Sequence, residues 1–358
     1  MFQVDDRGQM WPGMEVKFIN FRKVNTNSVT NLLEARNAFG RAVIVDQEQC
    51  DIQVYPFYDL INANFGNDIA KGVSPHVSMA NLGISVQDFV EISRRESARN
   101  RFYESDIKRC IYASNSLQTN FVLSHGFIIR DHKLICKPER YDAMGLDCDR
   151  FTPLNGLYTA LVLDAQNPRI VEIRFENGRA SQMSDLPRLA VSGPVLVKNG
   201  ENVSGKIPYR PMPTSREPFG LDLKNPKHLR ILRRPPGPTE RGEVNYPPPT
   251  TMTSFTAFGV REDRRIILVS MFEELRGKGI GTNLGITIYE MAELLVNNLE
   301  AKQAILGGGG ADTQQFLKGD QLQYMIAPVR TRSPGQGSRS EVAGARGLGA
   351  IIAVLAKR

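Results

Sequence analysis

The clearest pattern of apolar positions lies close to residue 290. It has the spacing i, i+3, i+4, i+7 and i+11 of one helical face, at Ile288, Met291, Ala292, Leu295 and Leu299. Thr287 and Glu290 have the spacing of a capping box, in which each side chain bonds the backbone N–H of the other residue. The pattern predicts a helix that begins after Thr287, buries one face and ends near Asn297.

Runs of apolar residues on both sides of this helix predict strands. Thr256–Val260 and Ile266–Ser270 flank a short polar turn, as the two strands of a hairpin do. After the helix, Ala304–Leu306 leads directly into four glycines, Gly307–Gly310. We therefore predict one α+β unit of hairpin, helix and strand, with a Gly-rich loop at the end of the strand.

The remaining chain divides near residue 112. Before it, Asn27 and Ser28 can cap a helix that reaches Ala38, Ala42–Val45 forms a strand pattern, and Ser85 can cap a second short helix. After it, the chain is rich in short strand patterns at 127–129, 134–136, 159–163 and 170–174. The predicted fold class is α+β, a mixed strand-rich domain with a few packed helices, preceded by an N-terminal α/β portion at 1–111.

Residues 205–250 differ from the rest of the chain in composition. They hold 11 of the 21 prolines, together with nine Lys or Arg and four Asp or Glu. Because proline interrupts helices and interior strands, we predict a basic, extended insertion. A solvated insertion and a segment that contacts phosphates or acidic partners both fit this composition. The rest of the chain is nearly neutral, so the net charge of +7 does not predict nucleic-acid binding.

Several function classes leave no pattern in this sequence. The four cysteines, Cys50, Cys110, Cys136 and Cys148, have neither CxxC pairing nor zinc spacing, and no His, Asp and Glu cluster has metal spacing. We therefore predict no metal and no cofactor.

The first seven residues lack the regions of a signal peptide, and no run approaches the ~18 apolar residues of a membrane span. We expect a cytoplasmic protein without a membrane span, and the sequence predicts no oligomeric state.

The four glycines lie next to a carboxylate and a hydroxyl, those of Asp312 and Thr313. Glycine lets the main chain approach a ligand closely, and successive backbone N–H groups can form an anion site. A flexible loop without a ligand is the alternative. A P-loop is excluded because Ala311 and Asp312 follow the glycines where that motif needs Lys and Ser or Thr.

Several motifs, taken in order, resemble those of the phosphodiester glycosidase domain family. Gly193–Gly200 resembles its "GGPVLV-x-x-G" turn, and Thr256–Val260 resembles its "TAIGI" strand. The helix start at 285–292 is similar to "GMTLAELA", and Leu306–Thr313 is similar to the loop "LDGGGSST". Residues 120–134 resemble the family's Asn-bearing strand and hairpin, and 342–354 its closing strand. The resemblance covers 112–354, interrupted by 205–250.

The resemblance implies hydrolysis of a sugar-1-phosphodiester, between the anomeric carbon and phosphate. The family's Asp before the glycines is Gly307 here, and its two serines are Ala311 and Asp312, so the carboxylate is displaced by five positions. The implied catalytic residues are Asp312 and Asn120. The implied substrate- and phosphate-binding residues are Gly308, Gly309, Gly310, Thr313, Ser192, Gly193 and His125.

Three functions fit the sequence. The first is a hydrolase that cleaves a small-molecule or glycan phosphodiester. The second is a catalytically altered relative that binds a glycan, phosphosugar or partner protein without turnover. The third is a basic interaction module that works through residues 205–250, and it leaves the glycine unit without a purpose.

Overall fold

The computed structural model describes most of the chain outside the Pro-rich insertion. The described residues are 1–26, 33–56, 85–91, 104–116, 119–120, 123–124, 127–136, 139–141, 151–153, 156–176, 179–180, 186–204, 253–273, 285–309, 313–327, 348 and 350–357. The predicted insertion at 205–250 lies outside them, as do both residues of the predicted cap at Asn27 and Ser28.

The strands are numbered in chain order. The first twelve are β1 (Phe2–Trp11), β2 (Met14–Thr26), β3 (Leu33–Val45), β4 (Cys50–Pro56), β5 (Cys110–Asn115), β6 (Thr119–Asn120), β7 (Leu123–Ser124), β8 (Ile128–Arg130), β9 (Lys133–Cys136), β10 (Glu139–Tyr141), β11 (Phe151–Pro153) and β12 (Gly156–Val162). The others are β13 (Arg169–Glu176), β14 (Arg179–Ala180), β15 (Leu189–Ser192), β16 (Val195–Lys198), β17 (Glu201–Asn202), β18 (Phe255–Arg261), β19 (Ile266–Glu273), β20 (Ala301–Gly309), β21 (Gln314–Leu317), β22 (Tyr324–Ile326) and β23 (Ala350–Ala356). The helices are α1 (Val86–Glu91), α2 (Glu104–Arg109) and α3 (Ile288–Asn297).

Three antiparallel sheets carry the described part of the fold. We call them the main sheet (β1-β2-β3-β19-β18-β20-β16-β17), the second sheet (β22-β21-β5-β23-β4) and the third sheet (β14-β13-β12-β15-β8-β9). Two short pairs, β6 with β7 and β10 with β11, complete the pairing. The strand-rich α+β class predicted from the sequence agrees with this architecture.

One apolar core joins the three sheets. Val43 and Phe258 of the main sheet, Ile52 and Ile352 of the second and Leu161 of the third belong to the same buried cluster. On its other face the main sheet packs against α3, while α1 covers the other face of the second sheet. Removing these large apolar side chains from water supplies the main stabilisation of the fold.

Helix α3 begins as its sequence predicts. The Thr287 side chain accepts a hydrogen bond from the Glu290 backbone N–H, and the Glu290 carboxylate accepts one from the Thr287 N–H, which completes the capping box. The predicted apolar face is buried, with Met291 and Leu295 fully enclosed against the main sheet. The helix therefore fixes the sheet that carries β18 and β20.

The predicted helix through Leu33 and Ala38 is wrong. Both residues belong to β3, which pairs with β2 along 13 positions and with β19 along eight. Ala38 is 3% exposed between these neighbours. Long-range pairing on both sides of β3 outweighs the local helix signal, because strand preference depends on packing against neighbours.

Strands from both sides of residue 112 share the same sheets. β3 lies beside β19 in the main sheet, and β4 pairs with β23 in the second. The first 56 residues therefore contribute directly to the layers that position the glycines. Among the described residues, no helix has the length and apolar character needed to cross a membrane.

Candidate functional site

Three of the four glycines belong to a strand. Gly307, Gly308 and Gly309 form the end of β20, and Gly308 and Gly309 pair with Thr256 and Phe255 of β18. The predicted Gly-rich loop is therefore not found at these three positions, and Gly310 lies outside the described residues. The register shifts at Gly307, because Leu306 already pairs with Ala257, so Gly307 is an extra residue in a β-bulge. Bulges occur often beside active sites, where they redirect a strand.

Close packing explains the glycines in this strand. A Cβ on Gly307 would lie 2.4 Å from Cε2 of the Phe258 ring, and one on Gly309 would lie 2.7 Å from Cδ1 of Phe255. A Cβ on Gly308, whose φ is +156°, would lie 2.7 Å from the amide nitrogen of Asn115. The end of β20 is therefore backbone without side chains, in contact with two aromatic rings and one amide. We call residues Gly307–Gly309 the glycine end.

The other edge of the glycine end has no strand partner among the described residues. β16 pairs with β20 only from Gln303 to Ile305, and the Leu306 N–H then donates to the Pro194 carbonyl at 2.8 Å. A Cβ on Gly193 would meet the Leu306 carbonyl oxygen at 2.1 Å. The Gly193–Pro194 turn thus lies beside the glycines, although the two segments are more than 100 residues apart.

Asn115 joins the second sheet to the glycine end. Its Oδ1 accepts hydrogen bonds from the Thr256 hydroxyl at 2.6 Å and from the Gln314 backbone N–H at 3.2 Å. A backbone N–H can only donate, so the atom that faces it is the carbonyl oxygen of the amide. The amide nitrogen of Asn115 is therefore on the side of Gly308, and it is a donor directed at the bare strand.

Two further hydroxyls at this end are buried. Thr313 is 0% exposed and Ser116 is 1% exposed, and neither Thr313 Oγ1 nor Ser116 Oγ has a hydrogen-bond partner among the described residues. Buried hydroxyls are normally bonded, so such groups need a partner. Thr313 directly precedes Gln314, whose N–H donates to Asn115, and Ser116 directly follows Asn115, so both residues are next to this contact along the chain.

A buried polar network extends from Asn115 into the interface between the main and second sheets. The Thr256 and Ser270 hydroxyls are 3.1 Å apart, and Gln315 Nε2 donates to the Tyr112 hydroxyl at 2.9 Å and to the Arg41 carbonyl at 3.2 Å. Burial raises the pKa of Tyr112, although hydrogen bonds and the nearby Arg41 charge oppose it. The Tyr112 hydroxyl therefore stays protonated at neutral pH and can donate a hydrogen bond.

Arg41 is a charged residue in the interior of the fold. It is 1% exposed, its Nη2 lies 3.1 Å from Oδ2 of Asp320, and it also donates to the Leu322 carbonyl. Burial lowers the pKa of Arg41, and the Asp320 charge opposes that shift. The pair ties β3 to the turn between β21 and β22, and so holds Gln315 against the network.

The residues predicted for the site have different positions in the structure. Ser192 is 4% exposed and its hydroxyl accepts a hydrogen bond from the Phe127 N–H at 2.7 Å. Gly193 donates its N–H to the Thr159 carbonyl, and its own carbonyl accepts from the Thr159 hydroxyl. Both residues thus have partners within the third sheet. Asn120 is placed by its backbone in β6, while His125, Asp312 and Gly310 lie outside the described residues.

Sequence reasoning missed Asn115 and the hydroxyls behind it. The signal was the polar triplet Ser114–Ser116 at the end of the otherwise apolar strand β5, which is buried at every position. Buried polar side chains at a strand end are uncommon unless they bond one another or a ligand. Thr256 and Ser270 lie similarly in apolar strands, and their register opposite each other becomes visible only in the paired sheet.

The described residues contain few other groups of catalytic type. Their His, Cys, Asp and Glu side chains form no cluster of three that could hold a metal ion. Cys50 and Cys110 are free and buried, and burial raises the pKa of the Cys110 thiol to about 12. A thiol with so high a pKa is a poor nucleophile at neutral pH.

Solved structures resemble this chain only distantly. The catalytic domain of zebrafish N-acetylglucosamine-1-phosphodiester alpha-N-acetylglucosaminidase, auto-inhibited by its pro-peptide, is 12% identical with a TM-score of 0.49, over 100% of this chain and 88% of that chain. A hypothetical protein from Synechocystis is 13% identical with a TM-score of 0.39, over 100% of this chain and 76% of that one. A Burkholderia pseudomallei protein described as a putative exported protein is 11% identical with a TM-score of 0.41, over 99% and 96%. No curated protein matches the sequence.

The family assignment rests on a different comparison. The family model for phosphodiester glycosidase matches residues 120–348, more than half of the 358 residues. That span contains the Gly193–Pro194 turn, the β18–β19 hairpin, α3 and the glycine end of β20. The chain belongs to the phosphodiester glycosidase family.

Proposed function

We propose that this protein hydrolyses a sugar-1-phosphodiester at the glycine end of β20. One observation carries the proposal: the Asn115 amide nitrogen faces the bare backbone of Gly308, and Asn115 also accepts from the N–H of Gln314, next to the buried hydroxyl of Thr313. These contacts lie inside the fold of a family whose described activity is glycosidic cleavage of phosphodiesters.

The chemistry needs two kinds of stabilisation. Water adds to the anomeric carbon, the bond from that carbon to the phosphate oxygen breaks, and the phosphomonoester leaves with the electron pair. Positive charge therefore grows on the sugar ring and negative charge on the phosphate. Amide and hydroxyl donors such as those of Asn115 and Thr313 stabilise the departing phosphate, because they are fixed before the reaction begins.

The sugar side needs a carboxylate, and Asp312 is our candidate. It is joined directly to Thr313, so covalent connection keeps it next to a residue of the glycine end. The family's usual position for this Asp is Gly307, where the ring of Phe258 leaves no room for a side chain. In this proposal, Asp312 is the carboxylate that stabilises the positive anomeric centre, while Gly308, Gly309 and Gly310 approach the phosphate.

The proposal is tested by turnover of defined diesters. The panel contains the methyl phosphodiesters of α-N-acetylglucosamine 1-phosphate and α-glucose 1-phosphate, and free sugar is measured as the product. The first sugar is the one in the name of the zebrafish enzyme. We expect release of free sugar together with monomethyl phosphate from at least one member.

A binding measurement separates the alternatives. If no member of the panel is cleaved, calorimetric titration with the same diesters shows whether the site still binds them. Binding without cleavage would contradict the hydrolase and support the altered relative, for which the move of the carboxylate away from Gly307 is the specific observation. Absence of both cleavage and binding would exclude both functions for this substrate class.

A further inference from the structure

The buried hydroxyls of Thr256 and Ser270 form a chain of hydrogen bonds that ends at Asn115, and the direction of each bond can be derived. Thr256, Ser270 and Arg41 are paired across β18, β19 and β3, so they form one row across the main sheet. Tyr112 and Gln315 of the second sheet cover this row. All five residues are at most 1% exposed, so water does not compete for the hydroxyl hydrogens of Thr256 and Ser270.

Counting hydrogens assigns each donor, beginning at Asn115. The Gln314 N–H fixes Oδ1 of Asn115 as an acceptor, so Thr256 must use its single hydroxyl hydrogen for the 2.6 Å bond to the same atom. Thr256 can then only accept from Ser270, at 3.1 Å. The Ser270 hydrogen is now used, so the Ser270 hydroxyl oxygen can only accept from other groups.

Gln315 lies in the second sheet beside this chain. Its Nε2 carries two hydrogens, and they go to the Tyr112 hydroxyl and to the Arg41 carbonyl. The hydroxyl hydrogens of Ser270 and Thr256 therefore both point toward Asn115. Hydrogen bonds arranged head to tail polarise one another, so the last acceptor receives a stronger bond than an isolated hydroxyl gives.

We propose that Thr256 and Ser270 are positioning residues that orient and polarise the Asn115 amide as a donor to the phosphate of the substrate. An amide whose oxygen accepts two hydrogen bonds cannot rotate by 180° without losing both, and its N–H bonds become better donors. The amide nitrogen lies on the Gly308 side, 2.7 Å from the place a Cβ would take. This inference rests on the proposed function for the identity of the ligand, whereas the hydrogen-bond chain is supported by the contacts alone.

The test follows the Asn115 amide directly by NMR. Protein labelled with ¹⁵N at asparagine gives side-chain N–H₂ signals, and Asn115→Asp identifies the signal of Asn115 by its disappearance. Thr256→Val removes the last donor without changing the shape of the side chain, so the Asn115 signal should move upfield. Thr256→Ser keeps the donor and should restore it, while Thr253→Val is the matched control at the start of the same hairpin.

Affinity for monomethyl phosphate gives the second readout. Loss of one oriented donor should weaken binding about tenfold in Thr256→Val. Ser270→Ala interrupts the chain one link further from Asn115, so its effects on both signal and affinity should be smaller than those of Thr256→Val. Unfolding midpoints are measured for every variant, because a purely structural role would make the losses follow stability instead of position in the chain.

Two results would overturn the inference. One is an Asn115 signal that stays in place in Thr256→Val, and the other is an affinity that does not change although the signal moves. If wild type cleaves no diester, the proposed function fails. The Asn115 signal and the titration with monomethyl phosphate still show whether the hydrogen-bond chain orients the Asn115 amide.

Discussion

The ring of Phe258 occupies the space into which a side chain at position 307 would project. The two residues lie on adjacent strands, β18 and β20, and a Cβ on Gly307 would come within 2.4 Å of the ring. In the family motif the residue corresponding to Phe258 is isoleucine and the one corresponding to Gly307 is aspartate. The larger residue on one strand thus fills the space that the smaller residue on the other leaves free.

The first prediction is that these two positions are coupled. Gly307→Ala should cost about 1–3 kcal/mol of unfolding free energy, because a buried core does not accept an extra methyl group without movement. Phe258→Ile should also destabilise, through a cavity. The loss of unfolding free energy in the double variant should be smaller than the sum of the two single losses by about 1 kcal/mol or more, measured by urea unfolding. Additive losses would show that the ring moves freely away from Gly307.

The second prediction concerns the carboxylate. Asp312→Asn keeps the size of the side chain and removes its charge, so turnover of a cleaved diester should fall about a hundredfold, equivalent to about 3 kcal/mol. Asp263→Asn is the matched control, since Asp263 is an exposed turn residue near the opposite end of β18. Full activity in Asp312→Asn would exclude Asp312 as the catalytic carboxylate.

The sequence predicted the local elements of the fold better than its long-range pairing. Asn199 and Gly200 form an Asn-Gly dipeptide, which is typical of tight hairpin turns, and they connect β16 to β17 with positive φ angles of 52° and 78°, because a two-residue hairpin needs that geometry. The residues that predict the β18–β19 hairpin lie within a few positions of one another along the chain, and so do those that predict α3. Leu33 and Ala38 were assigned to a helix because the strands that flank β3 are distant in the sequence.

The same limit applies to the candidate site. The resemblance directed attention to Gly308, near the end of β20, and to Thr313, directly before β21. It could not indicate Asn115 or Ser270, because hydroxyls and amides in apolar strands acquire meaning only when register brings them together. Packing also changed the predicted conformation of Gly307–Gly309, from a flexible loop to a strand end in contact with Phe255 and Phe258.

The third prediction concerns the buried ion pair. Asp320→Ala leaves the Arg41 guanidinium buried without its countercharge, which should cost about 3–5 kcal/mol. Arg41→Met combined with Asp320→Leu removes both charges and should recover much of that loss. Chemical denaturation of the single and double variants measures the difference. If the single and the double variant lose the same unfolding free energy, the pair stabilises the turn through the attraction between its charges rather than through its packing.

The fourth prediction is a pH dependence from Cys110. Burial raises its pKa from 9.0 to about 12 in the folded protein, whereas the unfolded chain ionises near 9.0. Unfolding therefore releases a proton above pH 9, and this thiol should lower the unfolding free energy by about 1.4 kcal/mol for each further pH unit. Cys110→Ala should lack that contribution, so the stability advantage of wild type should shrink between pH 9 and 10.5. Between pH 6 and 8 the thiol is neutral in both states, and the two curves should run parallel.

The position of β3 beside β19 has a practical consequence for anyone who wishes to excise the family region. All eight residues of β19 are buried, and β3 covers its outer edge along its whole length. A protein cut to residues 120–348 would lack β3, β4 and β5, and the backbone of β19 would become a long apolar edge open to other chains. Such a fragment should aggregate rather than fold, so the region matched by the family model is not an independent module and depends on the N-terminal strands for its solubility.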